Sequence, residues 1–442
     1  MDLALQSRTL FGVTLGFHII YATIGVGMPL LLLIAEVMGI WKKDPHYRLL
    51  AKRLAKGYSI TVAVGVVTGT IIGLQLSLLF PGFMKIAGQV ISLPLFMETF
   101  AFFFEAIFLG IYLYTWSRFR NPLFHILVLI PVAIGSGLSA FFITTVNAFM
   151  NTPQGFTITD GAITNIEPLK AMFNPATPSK VAHVLTSAYM TTAFVIAAIT
   201  AWFILRGHRN EYYKKALRMT MTIGLIFALA TAVVGDLSGK FLAAYQPEKL
   251  AAAEWHFETK THADLLVGGA LDRNTNEVNY AIKLPNMLSF LATDSFSGKV
   301  IGLNDIPKEN WPPLIIHYWF DMMVGIGSFM IVLSGAFVAI RIWKQKFEWN
   351  SWLLRLIVIG GPLSMLAIEF GWIFAELGRQ PWILRGYMRV GEAATTSPNV
   401  GSMLLLFSVV YALLGILTVY VLIRMARRNP VEPLLDARSE QT

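Results

Sequence analysis

Long apolar stretches alternate with short polar connections along almost the whole chain. Nine stretches come close to or exceed the roughly 20 residues that an α-helix needs to cross a bilayer. They lie at about residues 11–40, 58–80, 94–116, 122–150, 181–205, 217–234, 313–340, 352–375 and 402–423. The pattern predicts an all-α membrane protein with nine transmembrane helices, which we number as spans one to nine.

The composition agrees with this pattern. Hydrophobic residues make up 55% of the chain and charged residues only 14%, whereas soluble proteins usually have about 25% charged residues. The first apolar stretch is too long for a cleavable signal peptide and lacks a small-residue cleavage site. The chain has no cysteine, so disulfides, iron–sulfur clusters and thioether-linked haem are excluded. Any redox centre must therefore be held by other ligands.

The net charge of +9 comes from the connections between spans, which argues against a nucleic-acid-binding role. Basic residues concentrate in the odd-numbered connections and in the tail, for example Lys42, Lys43, Arg118, Arg120, Arg206, Arg209, Arg341, Lys344, Lys346, Arg427 and Arg428. By the positive-inside rule, the N-terminus lies outside and the C-terminus inside.

Span lengths and orientation together divide the chain into four regions. We predict spans one to six in residues 1–235, an extracytoplasmic loop in 236–312, spans seven to nine in 313–424 and a cytoplasmic tail in 425–442. The loop is far longer than ordinary connections. Its aromatic residues, including Trp255, favour a folded cap over a flexible tether.

Ionisable and ligand-type residues concentrate at one depth of the predicted bundle. Six fall in the outer half: His18, Glu98, Glu105, His183, Met323 and Glu376. Such groups are costly in lipid, so their convergence favours a functional site. A His with a Met completes a low-spin haem iron, while a single His or carboxylate leaves a position open for oxygen. A lone buried His is more often a hydrogen-bonded core residue, and we interpret His125 and His317 as interface residues.

The segment Gly371–Trp382 is the most specific motif of the chain. It reads GWIFAELGRQPW and resembles the GWxxxExGRQPW signature of subunit I of cytochrome bd-type quinol oxidases. The likeness covers nearly the whole chain, including the nine spans and the large loop before span seven. It implies a terminal oxidase of the bacterial plasma membrane. Such an enzyme oxidises quinol outside, reduces O2 to water with protons from inside, and is electrogenic without pumping.

The resemblance also implies cofactors and the residues that hold them. The cofactors are a low-spin haem b, a high-spin haem b and haem d, with quinol as substrate. His183 and Met323 resemble the low-spin pair, whereas His18 and Glu376 resemble the high-spin ligands. Which of these two ligates haem d stays open. Trp372 resembles a tryptophan packed between haems.

Further residues match positions of proton transfer, quinol binding and haem contact. They are Glu98 and Glu105 near the oxygen site, Ser139 and Asn147 on the proton route, and Lys249 and Glu254 in the quinol loop. Arg379 lies outside against the positive-inside rule, which suggests pairing with haem propionates. The implied partners are a second large membrane subunit and often a very small single-helix subunit.

The chain departs from the family pattern in places. Asp321 stands where the family often has an arginine, two residues before Met323. The spacing from Glu98 to Glu105 is seven residues, one fewer than the pattern, although both still share a helix face. The quinol loop is of the short type.

Two alternatives stay open at this point. A haem d-less quinol oxidase of the same family, with haem b throughout, fits the same residues. A proton-coupled transporter could use Glu98 and Glu105 as its relay, but the chain shows no internal repeat of the kind common in transporters. A haem–copper oxidase is disfavoured because no adjacent histidine pair or set of His-bearing spans could hold copper.

Overall fold

The computed structural model describes residues 2–116, 118, 119, 121–159, 162–344 and 349–431. Within these ranges nine helices are long and apolar enough to cross a membrane, which confirms the predicted number of spans. They are α1 (Leu3–Trp41), α2 (Pro45–Leu79), α3 (Pro81–Tyr114), α4 (Pro122–Asn151), α6 (Thr177–Leu205), α7 (Glu211–Tyr245), α10 (Ile316–Trp343), α11 (Ser351–Leu377) and α13 (Val400–Arg428). Arg120, Lys346 and residues 432–442 of the predicted tail lie outside the described residues.

Short elements occupy the connections. The short helices are α5 (Pro168–Met172), α8 (Pro247–Ala253), α9 (Met287–Thr293) and α12 (Val390–Ala393). Eight short strands form four antiparallel pairs: β1 (Thr157–Thr159) with β2 (Ala162–Thr164), β3 (Leu265–Val267) with β6 (Ile282–Leu284), β4 (Ala270–Leu271) with β5 (Val278–Asn279), and β7 (Trp382–Leu384) with β8 (Met388–Arg389).

Polar caps fix where several spans begin. The side chains of Asp44 and Asn121 accept hydrogen bonds from backbone amides of the first turns of α2 and α4, and a proline opens both helices. Asn350 caps α11 in the same way, accepting from Trp352 N at 2.9 Å. Such caps satisfy amides that a helix leaves unpaired, and proline suits the first helical position.

The sixth span is longer than its apolar stretch indicates. Helix α7 continues to Tyr245, nine residues past the predicted start of the loop. The connection to α10 is therefore residues 246–315, and we call it the capping segment. The end of the helix bundle that carries this segment is called the capped end. This segment has a core of its own, in which Leu250, Trp255 and Leu288 are buried.

Small residues set the spacing of the central helices. A Cβ added at Gly27 of α1 would lie 2.0 Å from Thr192 Oγ1 of α6. One added at Gly361 of α11 would lie 2.5 Å from Ala198 Cβ, also on α6. Close helix approach through small residues is a common way to pack helices in membranes. Helix α6 thus sits in the middle of the bundle and packs against α1 and α11, which carry the predicted haem ligands His18 and Glu376.

His125, predicted to be an interface residue, lies in the first turn of α4. Its side chain is buried, with Nδ1 3.0 Å from Glu36 Oε1 and Nε2 3.0 Å from Tyr112 O. The Tyr112 ring stacks on it at 4.2 Å between centroids, and its hydroxyl donates to Glu36 Oε1 at 2.8 Å. His125 lies where a span begins, but the buried Glu36 of α1 supplies a partner that draws it inward.

Candidate functional site

Glu376 lies at the centre of a polar cluster at the capped end. Its two carboxylate oxygens accept from Asn147 Nδ2 at 2.6 Å and from Arg379 Nη2 at 2.5 Å. Lys180 Nζ, from the first turn of α6, donates to Asn147 Oδ1 at 2.8 Å. Helices α4, α6 and α11 therefore meet at one carboxylate. A carboxylate offers about four lone-pair directions, so Glu376 can accept both hydrogen bonds and still ligate iron.

Arg379 is committed to the protein itself. It is buried, pairs with Glu376, and its Nη1 donates to the carbonyl oxygen of Ile383. Its Nε is buried with no hydrogen-bond partner among the described residues. Two of its five N–H donors are thus used within the protein, and the Nε–H is a donor that the predicted pairing with a haem propionate can use.

The tautomer of His18 depends on the hydroxyl of Thr68. His18 Nδ1 lies 2.9 Å from Thr68 Oγ1, and that hydroxyl can donate to Val64 O at 2.9 Å. When the Thr68 proton points to Val64 O, Nδ1 carries the hydrogen and Nε2 keeps its lone pair. Metal-binding histidines are oriented by such second contacts. A Cβ at Gly69 would lie 3.1 Å from His18 Cε1, so the Cε1 edge of the ring lies against α2.

The predicted low-spin pair shows two features that fit a haem. His183 Nδ1 is buried with no hydrogen-bond partner among the described residues, which is costly unless a bound group orients the ring. Met323 Sδ faces α11, where a Cβ at Gly371 would lie 3.0 Å from it. Met322, by contrast, is 47% exposed. Met323 is therefore the methionine whose sulfur points toward the neighbouring helix.

Trp372 follows Gly371 directly and is half-buried. It precedes Glu376 by four residues on α11, so both side chains share one helix face. Met323, Trp372 and Glu376 thus lie along the last two turns of α11 or against them.

The two acidic residues of α3 each have a partner from another helix. Ser139 Oγ of α4 donates to Glu98 Oε1 at 3.0 Å. The Tyr58 hydroxyl of α2 donates to Glu105 Oε1 and also lies 3.1 Å from Gly25 O of α1. Gly25 is four residues before Pro29, which lacks the amide that would normally take this carbonyl.

Lys249 docks the capping segment on α11. It is 3% exposed, its Nζ donates to Ala375 O at 3.1 Å and lies 4.6 Å from the centroid of the Phe374 ring. Burial lowers the pKa of Lys249 to about 7, although the nearby Glu376 charge opposes the shift. An amine with this pKa exists in both protonation states near neutral pH.

Glu254 is the least satisfied carboxylate of the capping segment. It is 1% exposed, and neither carboxyl oxygen has a hydrogen-bond partner in the described part of the chain. Burial raises the pKa of Glu254 well above its ordinary value, and the charge of Asp321 raises it further. The amide of Leu266 acts in the opposite direction without completing a hydrogen bond. The carboxyl is therefore held protonated to higher pH than usual.

Four polar side chains of these clusters have no place in the sequence prediction: Glu36, Tyr58, Lys180 and Glu369. Tyr58 and Lys180 lie at edges of apolar stretches, where aromatic and basic residues are expected anyway. Glu36 and Glu369 lie inside apolar stretches. The cost of a carboxylate in lipid was the signal that could have identified both.

Three comparisons with known proteins agree. A family model described as cytochrome bd terminal oxidase subunit I matches residues 6–430. The chain is 45% identical over 440 residues to the putative cytochrome bd menaquinol oxidase subunit I of Bacillus subtilis, covering 99% of each chain. It is 27% identical over 496 residues to the cytochrome bd-II ubiquinol oxidase subunit 1 of Escherichia coli, covering 96% of each.

A solved structure gives the same result. The bd oxidase from Geobacillus thermodenitrificans matches with a TM-score of 0.94 and 61% identity, over 97% of this chain and 99% of that chain. The chain therefore belongs to the cytochrome bd terminal oxidase subunit I family, whose members are bacterial membrane oxidoreductases that normally pair with a subunit II.

Proposed function

We infer that this chain is the quinol-oxidising subunit of a respiratory terminal oxidase that reduces O2 to water. The contact between Lys249 and the last turn of α11 carries this proposal. Its Nζ binds Ala375 O at 3.1 Å, one residue before the predicted haem ligand Glu376. A buried lysine of the capping segment thus touches the turn that would hold the cofactor. The relatives named as menaquinol and ubiquinol oxidases support quinol as the substrate class.

The residues present fit haem at three positions. His183 with Met323 would hold a low-spin haem b, and His18 and Glu376 a high-spin haem b and haem d. The free Nε2 of His18, the unpartnered Nδ1 of His183 and the sulfur of Met323 facing Gly371 support this assignment. When bound, these groups supply electron transfer and an iron that binds oxygen. The haem d-less form of the family remains the alternative.

Quinol oxidation releases two protons and two electrons. The capping segment offers one group that can accept a proton and one that can bind a quinone oxygen. Glu254 is buried and unpartnered, so its carboxylate form can accept a proton from a quinol hydroxyl. Lys249 can donate a hydrogen bond to a quinone oxygen, while Ala375 O fixes its direction.

Water formation consumes protons, and the bundle provides polar steps for them. Glu105 with Tyr58, Glu98 with Ser139, and Asn147 form three hydrogen-bonded stations on α3 and α4. We assign them to proton delivery from the inner side, with the N-terminus outside. Uptake on one side and release on the other then separate charge without a pump.

Partner subunits complete the proposal. A second large membrane subunit and a very small single-helix subunit are expected beside this chain. Helix α13, the least buried of the nine spanning helices, and the phenylalanine-rich face of α3 leave apolar surface for lipid or for these partners.

A reduced-minus-oxidised absorption spectrum of the purified complex, with quinol-dependent O2 uptake, tests the proposal. Haem b bands with a far-red chlorin band and O2 uptake would support it in full. Haem b bands alone with O2 uptake would select the haem d-less form. Absence of haem bands would overturn the ligand assignments and favour the transporter.

A further inference from the structure

His317, predicted to be an interface residue, lies at the start of α10, and its contacts lead to an inference. Its side chain is fully buried in the first turn of α10. Nδ1 lies 2.7 Å from Ala253 O and Nε2 3.0 Å from Gly268 O, both in the capping segment. Carbonyl oxygens only accept hydrogen bonds, so both ring nitrogens must donate. Only the doubly protonated imidazolium has two N–H groups.

Asp321 supplies the counter-charge one turn further along α10. Its Oδ2 lies 3.2 Å from His317 Nε2 and accepts from Gly268 N at 2.5 Å. Tyr318 OH adds a hydrogen bond to Gly269 O at 3.0 Å. Three neighbouring side chains of α10 therefore form hydrogen bonds with the backbone of Gly268 and Gly269.

The turn that these hydrogen bonds hold is specific for glycine. Gly268 and Gly269 join β3 to β4 with φ of +65° and +104°, a region that other residues rarely adopt. A Cβ at Gly269 would also lie 2.9 Å from Ala281 Cβ. The turn therefore offers its backbone, rather than side chains, to α10.

Other contacts of His317 lie next to the predicted quinol-binding residue Glu254. Ala253, which accepts from His317, directly precedes Glu254. Trp255, on the other side of Glu254, stacks on the His317 ring at 3.9 Å between centroids. Its Nε1 donates to Leu314 O at 2.8 Å. Both chain neighbours of Glu254 are thus fixed by the start of α10.

We propose that His317 and Asp321 are positioning residues for quinol oxidation: they clasp the capping segment to α10 and hold Glu254 over the helix that carries Met323. The clasp rests on the proposed function for its role. It also gives Asp321 a task at the position where the family often has an arginine. A charge of opposite sign can serve here because its partners are an imidazolium and a backbone amide.

Two substitutions test the clasp in the assembled complex. His317→Phe keeps a ring for Trp255 to stack on and removes both donors. Asp321→Asn keeps the side-chain shape and removes the charge. The probe substrate is 2,3-dimethyl-1,4-naphthoquinol. A second donor, ascorbate with tetramethyl-p-phenylenediamine, delivers single electrons and requires no proton acceptor. Matched controls are His262→Gln and Asp272→Asn, both at exposed positions of the capping segment.

We expect kcat for the naphthoquinol to fall roughly tenfold in His317→Phe and about threefold in Asp321→Asn, because the hydrogen bonds that position the proton acceptor Glu254 are lost. KM should change less than about twofold and the diamine rate should stay constant. Hydrogen exchange should quicken at Gly268 and around Ala253. The two controls should match the parent protein in every readout.

Unchanged kcat for quinol and unchanged exchange in Asp321→Asn would overturn the clasp, even if His317→Phe failed to assemble. A parallel loss of kcat and the diamine rate would also overturn it, because that result indicates general damage. Failure of the proposed function looks different, since the unaltered complex would then show no quinol-dependent O2 uptake at all.

Discussion

The acidic residues of the helix bundle and those of the capping segment are treated differently by the fold. Within the bundle, four carboxylates have partners from other helices or turns: Glu36, Glu98, Glu105 and Glu376. In the capping segment Glu254 is buried just as deeply, yet both of its oxygens lack a partner among the described residues. Glu369 of α11, with an unpartnered Oε1, resembles Glu254 in this respect.

This difference separates carboxylates that stabilise the packing of helices from carboxylates whose oxygens are available to a ligand. A buried carboxylate without a partner costs free energy. The fold leaves the carboxyl group of Glu254 without a hydrogen bond, whereas both carboxylates of α3 have one. We interpret the unpartnered oxygens as reserved for a molecule that is not part of the chain. Substitutions on either side of this comparison should then give different kinetic results.

The largest effect is expected from Glu254→Gln. Loss of a general base should lower kcat for quinol roughly 100-fold and leave the diamine rate unchanged. The parent enzyme should also lose quinol activity as pH falls, because a protonated carboxyl cannot accept a proton. Since burial raises the pKa of Glu254, this loss should begin above the ordinary glutamate value of about 4.3. Full quinol turnover in the variant would refute the role.

Asn147→Ala should come next, because it removes one of the two donors that hold Glu376 and the acceptor of Lys180. Loss of such second contacts costs about 10- to 100-fold in activity. The reduced spectrum should lose intensity from a high-spin haem and keep the low-spin band. Asn274→Ala, on an exposed turn of the capping segment, is the control. An unaltered spectrum with full O2 uptake would show that Glu376 does not need Asn147.

The pH dependence of quinol binding should report on Lys249. Its pKa of about 7 means that the ammonium form, the stronger donor, is lost as pH rises above this value. KM should therefore increase above neutral pH, by up to about tenfold per unit. Arginine stays charged throughout this range, so Lys249→Arg should flatten the profile even if its KM is higher. A flat profile in the parent enzyme would contradict this role.

The smallest effect is expected from Tyr58→Phe in the bundle. It removes a single hydrogen bond from Glu105, so O2 uptake should fall about threefold to tenfold with either donor. KM for quinol should not change, because Tyr58 is not in contact with the capping segment. Tyr114→Phe, at an exposed position on α3, controls for loss of a hydroxyl. A change in KM alone would remove Tyr58 from the proton route.

The sequence predicted the parts of this molecule that depend on local pattern. Hydropathy identified nine spans, and the GWIFAELGRQPW motif identified the family before any contact was known. Pairings across helices were not accessible in this way. Tyr58 and Lys180 lie 47 and 33 residues from their partners Glu105 and Asn147, and the periodicity of one helix does not indicate which neighbouring helix faces it. The partners of His125 and His317 were not accessible for the same reason.

The capping segment was harder to predict than the spans. The sequence indicated a folded cap but placed its start at residue 236, because Asp236 and Lys240 end the apolar run. The structure shows that both pair with one another on the last turns of α7. An ion pair at i and i+4 lets a helix continue past the point where hydrophobicity stops.

Pro29 has a consequence for Tyr58 on the neighbouring helix α2. By leaving Gly25 O without its usual amide, it gives the single hydroxyl proton of Tyr58 two destinations. With Glu105 ionised, the hydroxyl points to the carboxylate; with Glu105 neutral, it can turn to Gly25 O and accept from the acid instead. Rotation of the Tyr58 O–H bond thus lets Tyr58 and Glu105 together hold either one or two protons. The absent amide of Pro29 thus allows a proton to be passed on by rotation of one hydroxyl group. This requires no larger rearrangement of the packed interior.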